Sequence, residues 1–98
     1  MIIVEQNEGQ KVSYSVDGTK LTFRDELMLD LARYERDYPV TIDICQDDDR
    51  ILISGLSKYY VANIQIPARE YLDEEKTVPA PFDMGNVTLV LWALVEVA

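Results

Sequence analysis

Histidine is absent from this chain of 98 residues, and cysteine occurs once, at Cys45. A Ser-His-Asp or Cys-His nucleophile needs an imidazole to take the proton, and most protein zinc sites draw on histidine or on several thiolates, so the usual groups for both chemistries are missing. A lone cysteine rules out an intramolecular disulfide. The alternation Ile42, Asp43, Ile44 puts Cys45 in a strand, where it reads as a small, half-buried residue of a reducing compartment. A reactive thiol would need a cationic neighbour to lower its pKa, and the nearest charges are acids.

Basic residues are scarce as well, with 9 Lys and Arg against 18 Asp and Glu and a formal charge of −9. Such a surface repels nucleic-acid phosphates and anionic lipid, so direct nucleic-acid binding and membrane binding are not expected. Long apolar runs are missing too: residues 87–95 fall far short of the roughly 18 needed for a membrane span. The opening residues Met1-Ile2-Ile3-Val4-Glu5 lack the basic and apolar regions of a secretion signal, and a cytoplasmic location is expected. Glycine and proline, at four each, are too few for a low-complexity or disordered chain.

What is present describes one domain over residues 1–98, with an ordinary apolar content of 48%. Val12, Tyr14 and Val16 alternate with Ser13, Ser15 and Asp17; Asp17-Gly18 follows, then Leu21 and Phe23 at the same period of two. This predicts a β-hairpin whose type I′ turn has Asp17 and Gly18 at its two positive-φ positions. Residues 1–5 predict a strand beside it. After Phe23 the period changes. Thr22 and Asp25 resemble a capping box, Leu27, Leu31, Tyr34 and Tyr38 form one apolar stripe, and Pro39 ends it, so a helix is expected here. Asp25 and Glu26 in its first turn and Arg33 and Arg36 near its last suit a helix dipole.

Val40, Ile42 and Ile44 alternate with polar residues, Asp47-Asp48-Asp49 interrupts, and Ile51, Leu52 and Ile53 resume, which predicts a hairpin with an acidic tip. Residues 59–66 read as the next strand, with Tyr60, Ala62, Ile64 and Ile66 on one face and Asn63 and Gln65 on the other, completing a three-strand meander. Residues 67–76 fit either a short helix starting at Pro67 or a strand continuing into a charged turn. Residues 77–85 form a loop in which Phe82 and Met84 need apolar cover, and residues 87–97, apolar on both faces, predict a long central strand. The architecture these readings predict is α+β: an antiparallel sheet of five or six strands ordered hairpin, helix, meander, loop and long C-terminal strand, with one helix packed across a face.

Three adjacent carboxylates at 47–49 invite a hard cation, but an EF-hand starting there would need Gly and Glu where Leu52 and Lys58 stand. They read as a solvated turn, since Asp accepts hydrogen bonds from nearby amides. Glu70, Asp73, Glu74 and Glu75, with Asp83, supply carboxylates but no evident cleft to separate their pKa values. No catalytic, metal or cofactor residues are assigned, and no enzymatic activity is expected. Six tyrosines and Trp92 remain. Adjacent Tyr59 and Tyr60 must point to opposite faces of a strand, and Tyr and Trp suit protein interfaces, so Tyr59, Tyr60 and Trp92 are the candidate partner-binding residues.

A helix covers one face only, so a doubly apolar last strand leaves surface for a partner. The expectation is a small non-catalytic protein–protein interaction or accessory module that self-associates as a homo-oligomer, a homodimer being the simplest form. Two alternatives remain open: an acidic nucleic-acid mimic that occupies the basic groove of a DNA- or RNA-binding protein, and a carboxylate-based metal binder or enzyme. The mimic requires a continuous band of acids at phosphate spacing.

Overall fold

The computed structural model describes residues 1–95, which fold into eight strands joined by turns. The strands are Ile2–Glu5 (β1), Tyr14–Asp17 (β2), Lys20–Phe23 (β3), Leu27–Asp30 (β4), Val40–Gln46 (β5), Leu52–Ser54 (β6), Tyr59–Ile66 (β7) and Thr88–Leu91 (β8). They make a three-stranded sheet in the order β2-β3-β4 and a five-stranded sheet in the order β1-β8-β7-β5-β6. The expected α+β fold with a helix on a sheet is therefore replaced by two sheets, and the only helical pieces among the described residues are 3₁₀ turns at Leu31–Tyr34 and Met84–Asn86.

The expected helix fails at its first turn. Arg24 and Asp25 both take positive φ, 54° and 55°, and the Glu26 amide donates to the Phe23 carbonyl at 2.9 Å, which is the backbone of a type I′ turn. The chain reverses there and β4 pairs antiparallel with β3, matching Thr22 with Met28 and Phe23 with Leu27. A spacing of four residues suits both a helix and a strand, so Leu27 and Leu31 could not decide between them. Leu29 and Met28 do: Leu29 is buried, while Met28 is 56% exposed and Tyr38, at the end of the supposed stripe, 62% exposed. The β2–β3 hairpin is present as expected, but Asp17 pairs with Lys20, so its central residues are Gly18 and Thr19. Positive φ falls on Gly18 alone, at +61°, as in a type II′ turn.

The meander is corrected too. β5 and β6 form the hairpin with the acidic tip, but β7 then lies against the other edge of β5, from Val40 opposite Ile66 to Gln46 opposite Tyr59. β6 offers three residues for pairing and β7 offers eight, so β7 satisfies the full length of the seven-residue β5. β1 does not join the first hairpin. It runs parallel to β8, Ile2 beside Thr88 and Val4 beside Val90, so the large sheet is mixed rather than antiparallel. β8 covers four residues of the long strand expected over 87–97, and positions 96 and 97 lie outside the described residues.

Residues 67–76 adopt neither a helix nor a longer strand. The chain folds back on itself, with Tyr71 bridged to Pro79, Leu72 donating to the Val78 carbonyl and Ala80 to that of Glu70, both at 2.8 Å, around a charged turn. Phe82 and Met84 receive the cover they need by packing against the core.

One apolar cluster joins the sheets. Leu21, Phe23 and Leu31 from the smaller sheet and its exit meet Ile44, Ile64 and Leu89 from the larger, all of them fully buried. At about 25 cal/mol per Å² of apolar surface removed from water, each such side chain contributes roughly 1.5–3 kcal/mol. Only one face of the five-stranded sheet is used in this way.

Residues 6–10 close the end of the molecule by running beside the chain that leaves β8. The Leu94 amide donates to the Gln10 carbonyl at 2.7 Å, and the Ala93 amide to the Asn7 side chain at 2.6 Å. Gly9 lies so close that an added Cβ would stand 2.8 Å from that of Ala93, and its φ is +131°. Gly18, by contrast, has nothing within 4 Å of such an atom, so a side chain there meets only the strain of its positive φ. Gly9→Asn, which meets both strain and the close approach, is expected to destabilise the fold by about 1–3 kcal/mol and more than Gly18→Asn does, measured as shifts in the urea midpoint. Equal shifts would show that the close approach at Gly9 is not needed.

Candidate interaction surface

Among the described residues, no layer of strands or helices lies over the second face of the five-stranded sheet. Its composition follows from register. Ile2 and Val4 of β1 align with Thr88 and Val90, Asn63 lies opposite both Val90 and Asp43, and Cys45 lies between Tyr60 and Ile53. Strict alternation would put Tyr60 on the core side with Ala62. It does not, because the pairing slips between Ile44 and Cys45: Ile44 faces Ala62, Cys45 faces Tyr60, and Val61 is an extra residue. Val61 and Ala62 are both fully buried in the core, and Tyr60 swings to the outer face beside Asn63.

That bulge assembles the centre of the surface. Tyr60 stacks on Trp92 with ring centroids 5.4 Å apart and planes 23° from parallel. The Trp92 indole Nε1 donates to Asn63 Oδ1 at 2.5 Å, and Asn63 Nδ2 donates to Asp43 Oδ1 at 2.8 Å. Asn63 is a relay: its amide turns an acceptor towards the indole and a donor towards the carboxylate, which fixes its orientation. Tyr60 remains 44% exposed, Val4, Ile53 and Ile2 are also exposed on this face, and Val90 and Cys45 are buried in it.

Of the three residues chosen from sequence, Tyr60 and Trp92 are brought together and Tyr59 is not. As adjacency in a strand requires, Tyr59 points away, pairs with Gln46 across the sheet and donates to Asp48 at 3.3 Å. Asp43 and Asn63 were missed. Their alternation marked them as outward-facing, but nothing in a linear pattern shows that residues 20 apart face each other.

The acidic clusters are occupied with local structure. Asp47 accepts from the Asp49 and Ile51 amides at 2.9 and 3.0 Å, shaping a tip in which Arg50 takes a φ of 62°. Asp48 bonds Lys58, and that contact lowers the Asp48 pKa and raises that of Lys58; both groups are exposed, so the pair is screened by solvent. Asp73 caps the turn of the 70–80 hairpin, taking the Thr77 hydroxyl and the Thr77 and Val78 amides. The two clusters lie beyond opposite ends of β5, about 20 Å of strand apart, so they do not form one continuous band.

Glu35, Glu70 and Asp83 do line one shallow depression of about 220 Å³ beside Pro67 and Phe82. Glu35 is paired there with Arg69 at 3.4 Å, and Asp83 accepts from the Gly85 amide at 2.8 Å. Among the described residues, no three or more acidic, cysteine or histidine side chains converge on one point, and no helix is long and apolar enough to cross a membrane. No protein-family model matches the chain, and neither a curated protein nor a solved structure does.

Two measurements probe these networks. Asn63→Ala strands the Trp92 indole and removes the partner of Asp43, and is expected to cost about 1–2 kcal/mol in the urea midpoint with a shift in Trp92 fluorescence. An unchanged emission maximum would show that the indole contact is not formed. At the hairpin, the Thr77 hydroxyl and then the Val78 amide hold the Asp73 carboxyl below its ordinary value of 3.8. A lowered folded-state pKa means the cap is fully present above 3.8 and is lost as the pH falls through the lower folded value. Asp73→Ala at neutral pH is thus expected to speed amide exchange at Thr77 and Val78 several-fold while leaving β5 protected, and uniform exchange across both regions would contradict a local cap.

Proposed function

We propose that this chain is a small, non-catalytic protein–protein interaction module that self-associates and makes contacts through the outer face of its five-stranded sheet. The observation that carries this reading is the Tyr60–Trp92 stack, an aromatic pair tied to Asn63 on a sheet face that no second layer covers among the described residues. Rigid aromatic groups amid exposed aliphatic side chains are what interface centres are built from, because they bury much area at little cost in conformational entropy. Ile53, Ile2 and Val4 supply the exposed aliphatic side chains. A cytoplasmic setting goes with this reading, since a lone buried thiol suits a reducing compartment. The acids do not argue for catalysis: Asp47, Asp48, Asp73 and Asp83 shape turns or pair with a cation.

The test is mass in solution. Light scattering across a concentration series is expected to give a wild-type mass above the 11.2 kDa of one chain. Tyr60→Lys, which retains an aliphatic stem, and Trp92→Glu are each expected to lower it, with circular dichroism checking that the sheets persist. A mass of 11.2 kDa at every concentration would remove the self-association reading.

A further inference from the structure

The free edge of the five-stranded sheet carries a more specific inference, which rests on the reading of the chain as self-associating. Among the described residues β1 ends the sheet on one side and β6 on the other. Native sheets guard such edges with charges, prolines, bulges or very short strands, because unpaired N–H and C=O groups recruit another strand. β6 has that protection: it is three residues long and adjoins the acidic tip at 47–49. β1 has none of it. Its sequence is Ile-Ile-Val-Glu, with no proline or lysine, and all four residues are exposed, Ile2 at 54% and Ile3 and Val4 at 41%.

The hydrogen-bond pattern shows which groups are available. Ile2 and Gln6 donate to the Val87 and Leu91 carbonyls at 2.8 Å, so even-numbered residues face β8. The alternate residues Ile3 and Glu5 therefore turn their amides and carbonyls to the open side. We infer that β1 is a homodimer seam, at which β1 of a second copy pairs antiparallel about a two-fold axis through Ile3.

Charge and side-chain matching select this partner and this register. With Ile3 opposite Ile3 of the second copy, Ile2 falls opposite Val4 on the outer face, so every apolar residue of the strand meets a β-branched one. Glu5 is the strand's one charge. In this register the two Glu5 residues lie four positions apart along the strands, about 13 Å and beyond a Debye length of about 8 Å, whereas parallel pairing would set them side by side. For a chain carrying −9, β1 is the place where two copies meet with little repulsion. The axis stands perpendicular to the sheet, so the dimer is a continuous ten-stranded sheet displaying both Tyr60–Trp92 stacks on one side. Two four-residue strands bury less than the roughly 1,200 Å² of a standard stable interface, so the seam forms in a concentration-dependent way.

The test uses cysteine pairs in a Cys45→Ala background. Ile2 and Val4 of the other copy form a non-hydrogen-bonded pair with Cα atoms about 4.5 Å apart, within disulfide reach, while two residues at position 2 stand about 8 Å apart and are not. A mixture of Ile2→Cys and Val4→Cys proteins is expected to give, on mild oxidation, a linked species of twice 11.2 kDa well above the yield of either variant alone. Ile3→Pro removes only an outward amide and should abolish that linkage, and Ile3→Lys, which keeps the amide, should weaken it. Linkage no greater in the mixture than in the single variants overturns the seam. That result, together with a mass that still falls on Tyr60→Lys, would locate self-association at the face and leave the proposed function standing. Linkage as expected with Tyr60→Lys unchanged in mass would confirm the seam and remove the face from self-association.

Discussion

The burial of one face of a five-stranded sheet by a three-stranded one organises everything else in this molecule. Leu21, Phe23 and Leu31 cover Ile44, Ile64 and Leu89, and the shared core fixes which way each strand faces. Three strands cannot roof five. Ile3, whose neighbour Leu89 is fully buried, is itself 41% exposed at the rim of the core. Among the described residues the outer face receives no second layer, and its centre is stabilised within the sheet instead.

That internal stabilisation depends on a local irregularity. The extra residue at Val61 lets two consecutive side chains enter the core and rotates Tyr60 to the other face, where it stacks on Trp92. A partly buried indole N–H without an acceptor would cost about 1–3 kcal/mol, and Asn63 removes that cost while Asp43 orients Asn63. Bulges re-aim side chains, and here one bulge supplies a core residue and turns an aromatic ring to the outer face.

The abundant acids serve the connections. Carboxylates accept backbone amides at the tip of the β5–β6 hairpin and at the turn of the 70–80 hairpin, and Asp37 ties that hairpin to the main body through Arg69 and the Tyr71 hydroxyl. Excess negative charge repels like-charged copies, and that repulsion is weakest at regions low in charge. β1 and the Tyr60–Trp92 face are such regions.

The sequence by itself determined the local quantities: two hairpins, the strands β5 and β7, the acidic tip, the opposed directions of Tyr59 and Tyr60, and the aromatic candidates Tyr60 and Trp92. Each of these follows from turn chemistry or from side chains alternating at a period of two, information carried within a few residues. Tertiary structure decided the rest. Leu27 and Leu31 fit a helix and a strand equally, and pairing with β3 chose the strand, so the expected α+β fold became two sheets. The position of β7 beside β5, the parallel docking of β1 on β8, the bulge at Val61 and the meeting of Asp43, Asn63 and Trp92 all depend on contacts between residues distant along the chain. Such contacts are selected by the hydrogen bonding and burial of whole strands, and no periodicity within a single strand encodes its neighbour.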